Sequence, residues 1–287
     1  MGYTSYSTSL RSERAEKMRY GSAPIEDTFR QIKEKRIHES MDPRNIRLRE
    51  ARDSETHPFT FPIIFGMDVT GSMGAVPKML IRDGLPKMIS DIIQGGVKSP
   101  ALLFLALGDS AAGDRAPLQV GQFESGDAEL DTWLTRTWPE SGGGSNAGEG
   151  YLWAWYFAAN HCQTDAWDKR KQKGLLVTFG DEPCLDSISK AEAKEVMNID
   201  IQAPLRAEDL LKAAQEKWNV FHLHFTKHRP TPTGWINLLG QNLIEIGDHT
   251  DIPATVARLA SENCSYCKPG EEVVSPEIPV GEGEEML

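Results

Sequence analysis

Between residues 58 and 263, short apolar runs alternate with stretches of helical periodicity, and three of those runs end in aspartate. PFTFPIIFGMDV (58–69) passes through Asp68, ALLFLALGD (101–109) ends at Asp109, and GLLVTFGD (174–181) ends at Asp181. NVFHLHFT (219–226), the shorter PLQVGQFE (117–124) and NLIEIGD (242–248) read as further strands. Runs without polar alternation fit strands buried on both faces rather than on one. Between them, Leu80, Ile81, Leu85, Met88, Ile89 and Ile92 recur at helical spacing through Val76–Ile93, and helices are expected over 127–138, 151–160 and 252–263. This alternation predicts an α/β fold, Rossmann-like, with a central mostly parallel β-sheet flanked by helices on both faces. In such sheets ligands collect beyond the carboxyl ends of the strands, where the three aspartates fall.

Composition narrows the function classes. With 31 basic and 42 acidic residues, the net charge of −11 argues against a nucleic-acid backbone as partner. No apolar run approaches the roughly 18 residues of a membrane helix, and the N-terminus has no apolar segment of signal-peptide type. Four cysteines in 287 residues make no disulfide scaffold, so a cytoplasmic protein is expected. The domain reading is a charged, partly helical arm over 1–57, one domain over 58–268, and an acidic disordered tail over 269–287. The arm sets Ile25, Phe29, Ile32 and Ile37 among charges, and either wraps the domain or meets a partner. The last 17 residues carry six Glu and no base.

Asp68 opens Asp68-Val69-Thr70-Gly71-Ser72, a carboxylate and two hydroxyls at alternate positions. On a turn leaving a strand, that spacing aims three oxygens at one point. Oxygen ligands with few full charges suit a hard divalent ion, Mg²⁺ or Mn²⁺ more than Zn²⁺. A plainer reading makes Thr70 or Ser72 an N-cap of the following helix.

This pattern resembles the von Willebrand factor A (vWA) family and its metal-ion-dependent adhesion site (MIDAS), with signature Asp-x-Ser-x-Ser and a Thr and an Asp from two later loops. Thr70 replaces the first Ser and keeps its hydroxyl. The resemblance puts Ser145, in Gly142-Gly143-Gly144-Ser145-Asn146, at the place of the later Thr. It puts Asp181, in Thr178-Phe179-Gly180-Asp181, near the place of the last Asp, displaced by two positions. Asp109 and Glu149 resemble outer acidic positions of some subfamilies. The implied metal set is Asp68, Thr70, Ser72, Ser145 and Asp181, with Asp109 and Glu149 outside it. Each also has a plain reading: a flexible Gly-rich connector for Ser145, a turn cap for Asp109, and a helix-dipole complement for Glu149.

In that family the ion binds rather than catalyses, and a partner's carboxylate completes its shell. The resemblance therefore implies a non-catalytic, Mg²⁺-dependent adaptor that captures an Asp or Glu of a partner. Bacterial and phage relatives point to a MoxR-type AAA+ ATPase as that partner. The alternative is a structural or assembly protein that self-associates through the same scaffold, its metal site vestigial. Enzyme signatures are missing: the acid two residues after Asp68 that a haloacid-dehalogenase-type phosphatase needs is Thr70. No P-loop, Gly-x-Ser-x-Gly or His-Glu-x-x-His string occurs. His222 and His224 share one strand face and read as packed imidazoles. Cys264 and Cys267 lack the second pair of a zinc ribbon and read as ordinary thiols. Trp153, Trp155, Tyr156 and Phe157 cover more than one helix face and read as core.

Overall fold

The computed structural model describes residues 6–74, 76–110, 113–140 and 148–266, the side chains of residues 81 and 82 excepted. Six strands form the central sheet: β1 (Phe61–Asp68), β2 (Pro100–Leu107), β3 (Leu118–Val120), β4 (Gly174–Gly180), β5 (Trp218–Phe225) and β6 (Leu243–Ile246). Their spatial order is β3-β2-β1-β4-β5-β6, the order of a doubly wound nucleotide-binding sheet. Every pairing is parallel except the edge pairing of β3 with β2. Every residue of β1, β2 and β4 is buried, as their unbroken apolar composition requires.

The pleat sends alternate side chains to two separate cores. Ile63, Phe65 and Met67 of β1, with Leu102, Phe104, Leu175 and Val177, meet α2 (Leu85–Gln94), α3 (Asp127–Thr135) and α9 (Ile252–Asn263). Ile64, Leu103, Leu105 and Leu176 face α4 (Leu152–Asn160), α6 (Lys190–Met197) and α7 (Ala207–Gln215). Trp235 and Leu239 of α8 (Thr233–Leu239) join that second core. The short helix α5 (Asp165–Arg170) lies on the connection between α4 and β4. On the second face Gly66 lets α4 come close, since a Cβ there would stand 3.1 Å from Leu107 Cδ1 and 3.6 Å from the Ala154 methyl. The strand expected at 117–124 is shorter, three residues long, and α6 and α7 carry no run marked in advance by periodicity. The helix expected over Val76–Ile93 contains a π-turn at Leu80–Gly84, where Leu80 Cδ2 already occupies the space of a Gly84 side chain.

The N-terminal residues pack onto the domain. In α1 (Thr8–Lys17), Arg11 is 3% exposed and pairs with Asp131 at 2.7 Å, while Arg14 reaches Asp127 at 2.7 Å. Phe29 is fully buried in the first core, and Arg49–Ala51 pairs in parallel with Cys162–Thr164. Residues 267–287, which hold the acidic tail and Cys267, lie outside the described residues. Cys264 is disulfide-bonded, which corrects its reading as an ordinary thiol; Cys162 and Cys184 are free. Among the described residues no helix is long and apolar enough to cross a membrane.

Candidate metal centre

Strand register brings the predicted acids to one edge. Asp68 lies opposite Leu107, two residues before Asp109, and Gly180 of β4 directly precedes Asp181. Asp68 and Asp181 are fully buried and Asp109 is 1% exposed. Thr70 adopts extended backbone and Gly71–Met73 forms one 3-10 turn, with Gly74 at φ +50° closing it. That turn folds the motif back over the strand end.

The side chains then form one continuous line. The Thr70 backbone N–H donates to Asp68 Oδ1 at 2.8 Å, and Thr70 Oγ1 donates to the same oxygen at 2.6 Å. Ser72 Oγ donates to Asp181 Oδ1 at 2.9 Å. Thr70 Oγ1 and Ser72 Oγ are 3.2 Å apart. Each hydroxyl has a single hydrogen, and a carboxylate takes it in both cases. Lone pairs of two adjacent oxygens therefore face one another, an arrangement that favours a cation. Thr70 caps no helix through its side chain, so the N-cap reading fails for it.

The other oxygens of the two aspartates are held from outside the motif. Tyr151 Oη donates to Asp68 Oδ2 at 3.0 Å. His228 Nδ1 lies 2.9 Å from Asp181 Oδ2. Tyr151 is fully buried, with its ring edge-on to His222 (5.0 Å) and to Trp235 (5.4 Å). Gly180 makes room for it: a Cβ there would stand 1.9 Å from Tyr151 Oη. His222 stacks on Trp235 at 3.8 Å and bonds Thr178 Oγ1 at 2.8 Å, so the strand-face histidines are packed imidazoles. Burial holds His222 well below the usual imidazole range, and His224 adds to the shift.

A second tier of acids surrounds this line. The Glu149 N–H donates to Pro183 O at 3.1 Å in a bridge that runs beside Cys184. The helix begins only at Leu152, so Glu149 stands on the bridge and not in the first helical turn. Glu149 is 5% exposed, and its Oε2 has no hydrogen-bond partner. Burial pushes its carboxyl up to about 10, reinforced by Asp68, Asp109, Asp114 and Glu182. Burial likewise pushes Asp68 up to about 7, reinforced by Asp181 and opposed by its hydrogen bonds. Glu182 pairs with Arg229 at 2.7 Å through Oε1, while Oε2 is buried without a partner. Asp114 Oδ2 accepts from the Asp109 N–H at 2.9 Å.

These residues fit a hard divalent ion by donor type: two carboxylates, two hydroxyls with lone pairs inward, and buried acids short of positive charge. Among the described residues no three His, Cys, Asp or Glu side chains converge as a metal-holding group, so the hydroxyls are needed to complete the set. Ser145 lies outside the described residues. The structure brings Asp68, Thr70, Ser72 and Asp181 together, with Asp109 and Glu149 in the second tier. Sequence reasoning missed His228 and the role of Tyr151. No motif marks His228 in TKHRPTPT, and Tyr151 sits in an aromatic run that reads as core.

No family model matches the sequence, and no curated protein matches it. Among solved structures, the chain is similar to proximal thread matrix protein 1 from the mussel byssus (10% identity, TM-score 0.45, 75% of this chain and 48% of that one). Another structure of that matrix protein has a zinc-occupied MIDAS motif. The pilus adhesin SpaC of Lactobacillus rhamnosus GG is similar at 10% identity and TM-score 0.45, over 75% of this chain and 31% of that one. A von Willebrand factor type A protein of Catenulispora acidiphila follows at 15% identity and TM-score 0.40, over 71% and 43%. The chain thus spans less than half the length of each of these structures. The fold is Rossmann-like by the order and direction of its own six strands, and the Asp-x-Thr-x-Ser turn after the first of them is the feature that resembles the vWA family.

Proposed function

We propose that this protein is a non-catalytic binding module in which Asp68, Thr70, Ser72 and Asp181 hold Mg²⁺ or Mn²⁺ and the ion captures an Asp or Glu of a partner protein. One observation carries the reading: Asp68 Oδ1, Thr70 Oγ1, Ser72 Oγ and Asp181 Oδ1 run in one line of oxygens with successive separations of 2.6, 3.2 and 2.9 Å. The buried, partnerless oxygens of Glu149 and Glu182 support it, because a cation nearby would offset their desolvation. Ser72 is exposed, so the line of ligands is open to solvent on that side and accessible to an incoming carboxylate. An ion held by so few protein charges supplies Lewis acidity toward an external anion. The partner class implied by the vWA resemblance is a MoxR-type AAA+ ATPase of the cytoplasm.

The test is a pull-down against such an ATPase in Mg²⁺ and in EDTA, beside the Asp68→Ala variant. Capture that requires both the ion and Asp68 is expected. Equal capture in EDTA, or by Asp68→Ala, would falsify the reading.

A further inference from the structure

We infer that Tyr151 and His228 are positioning residues of this cation site: each pins the outer oxygen of one ligand aspartate, so that both inner oxygens face the hydroxyl pair. The inference rests on the reading of Asp68 and Asp181 as ligands and adds two residues from outside the motif.

The two aspartates are held alike. In Asp68, Oδ1 faces Thr70 while Oδ2 accepts from Tyr151 at 3.0 Å. In Asp181, Oδ1 faces Ser72 while Oδ2 takes His228 at 2.9 Å. A carboxylate free to rotate would offer the ion either oxygen, or both. One donor fixed on Oδ2 leaves a single orientation. Groups that hold ligands in this way set affinity nearly as much as the ligands themselves.

The supports differ in construction. Tyr151 is rigid: it is buried, braced by His222 and Trp235, and fitted over Gly180, where a Cβ would collide with its hydroxyl. Its Oη also accepts the Glu182 N–H at 3.4 Å, so the phenol hydrogen is directed to Asp68. His228 stands on the exposed segment after β5, its side chain 37% exposed, with its ring against Phe225 at 4.8 Å. Because Asp181 accepts, Nδ1 of His228 carries the hydrogen. The exposed position makes His228 the support that can be changed without disturbing the core.

Mn²⁺ titration, followed by the electron paramagnetic resonance signal of the free ion, tests this with the full chain and the variants Asp68→Ala, Tyr151→Phe, His228→Ala and His228→Asn. Tyr151→Phe removes only the hydroxyl, and Asn places an amide N–H at the same distance from the backbone as imidazole Nδ1. Binding by the wild type, loss in Asp68→Ala, and about 10- to 100-fold weaker binding in Tyr151→Phe and His228→Ala are expected, with His228→Asn recovering most of the affinity. A melting temperature in EDTA close to that of the wild type separates these effects from misfolding. Wild-type affinity in Tyr151→Phe and His228→Ala, with binding still lost in Asp68→Ala, overturns the inference and leaves the cation site standing. His228→Asn as weak as His228→Ala overturns the hydrogen-bonding role of His228. No Mn²⁺ uptake by the wild type overturns both readings.

Discussion

The two faces of the central sheet are built from the same strands and do different work. The face covered by α2, α3 and α9 is packed with Phe65, Phe104, Leu102, Val177 and Ile89, and Phe65 meets Phe104 edge-on at 6.3 Å. The face covered by α4, α6 and α7 carries rings and polar atoms in its core: Tyr151, His222, His224 and Thr178 lie among Trp155, Trp218 and Trp235. Asp68 has the same parity in β1 as Ile64 and Gly66, so its side chain belongs to the second face. The first face supplies burial. The second supplies burial and also sets the orientation of the site, so a substitution there that disturbs the packing around Tyr151 alters stability and binding together.

Substitutions can separate these roles, and the largest effect belongs to the first face. Phe65→Ala is expected to cost about 3–5 kcal/mol in urea unfolding, by lost burial and a cavity, while the folded fraction keeps its cation affinity. Lost affinity in that folded fraction would break the division of labour. Gly180→Ala comes next, because its methyl collides with Tyr151 Oη. About 1–3 kcal/mol of overpacking is expected, together with weakened Mn²⁺ binding, since the phenol must leave Asp68. Stability lost without any loss of binding would detach Tyr151 from the site.

Asp68→Asn sharpens the comparison in the opposite direction. In the ion-free protein, burial has raised the Asp68 carboxyl to about 7, above its unfolded value. Its ionisation therefore opposes folding: stability falls as pH rises from the unfolded pKa, about 4, to about 7, and is level above that. Asn carries no such charge. In EDTA the variant is expected to match the wild type most closely at about pH 4 and below, and to exceed it by a few kcal/mol at pH 8. Added Mg²⁺ should stabilise the wild type and leave the variant unmoved. A gap between the two that does not change with pH would contradict the burial of an ionising Asp68. The smallest change in stability belongs to Ser72→Ala, about 1 kcal/mol by thermal melting, because the residue is exposed but its hydroxyl donates to the buried Asp181. Its cation affinity should nonetheless fall, because one of the two hydroxyl oxygens is gone.

Local composition made much of the fold legible. The runs ending at Asp68, Asp109 and Asp181 are strands whose ends share one edge, because unbroken apolar runs are satisfied by a parallel sheet covered on both sides. The helix expected over 252–263 forms at Ile252–Asn263, where Ile252, Val256 and Leu259 meet the first core at helical spacing. By contrast, sequence reasoning missed Ala207–Gln215, although Ala207, Leu210, Leu211 and Ala214 are buried at helical spacing, and Lys190–Met197, which buries only Ala193, Val196 and Met197. The path of the N-terminal arm was not legible either: Arg11 and Phe29 are buried by partners far along the chain, and no local pattern names those partners.

What the sequence determined by itself was the edge of the sheet and the order of oxygens in Asp68-Val69-Thr70-Gly71-Ser72, because spacing along a turn is a local property. The tertiary structure alone decided which atoms hold those oxygens in place. Tyr151 reaches Asp68 across 83 positions and His228 reaches Asp181 across 47, through a gap left by Gly180 and a loop that follows β5. Hydrogen bonds over such separations depend on how α4 and β5 pack against the sheet, and that packing is a property of the whole domain.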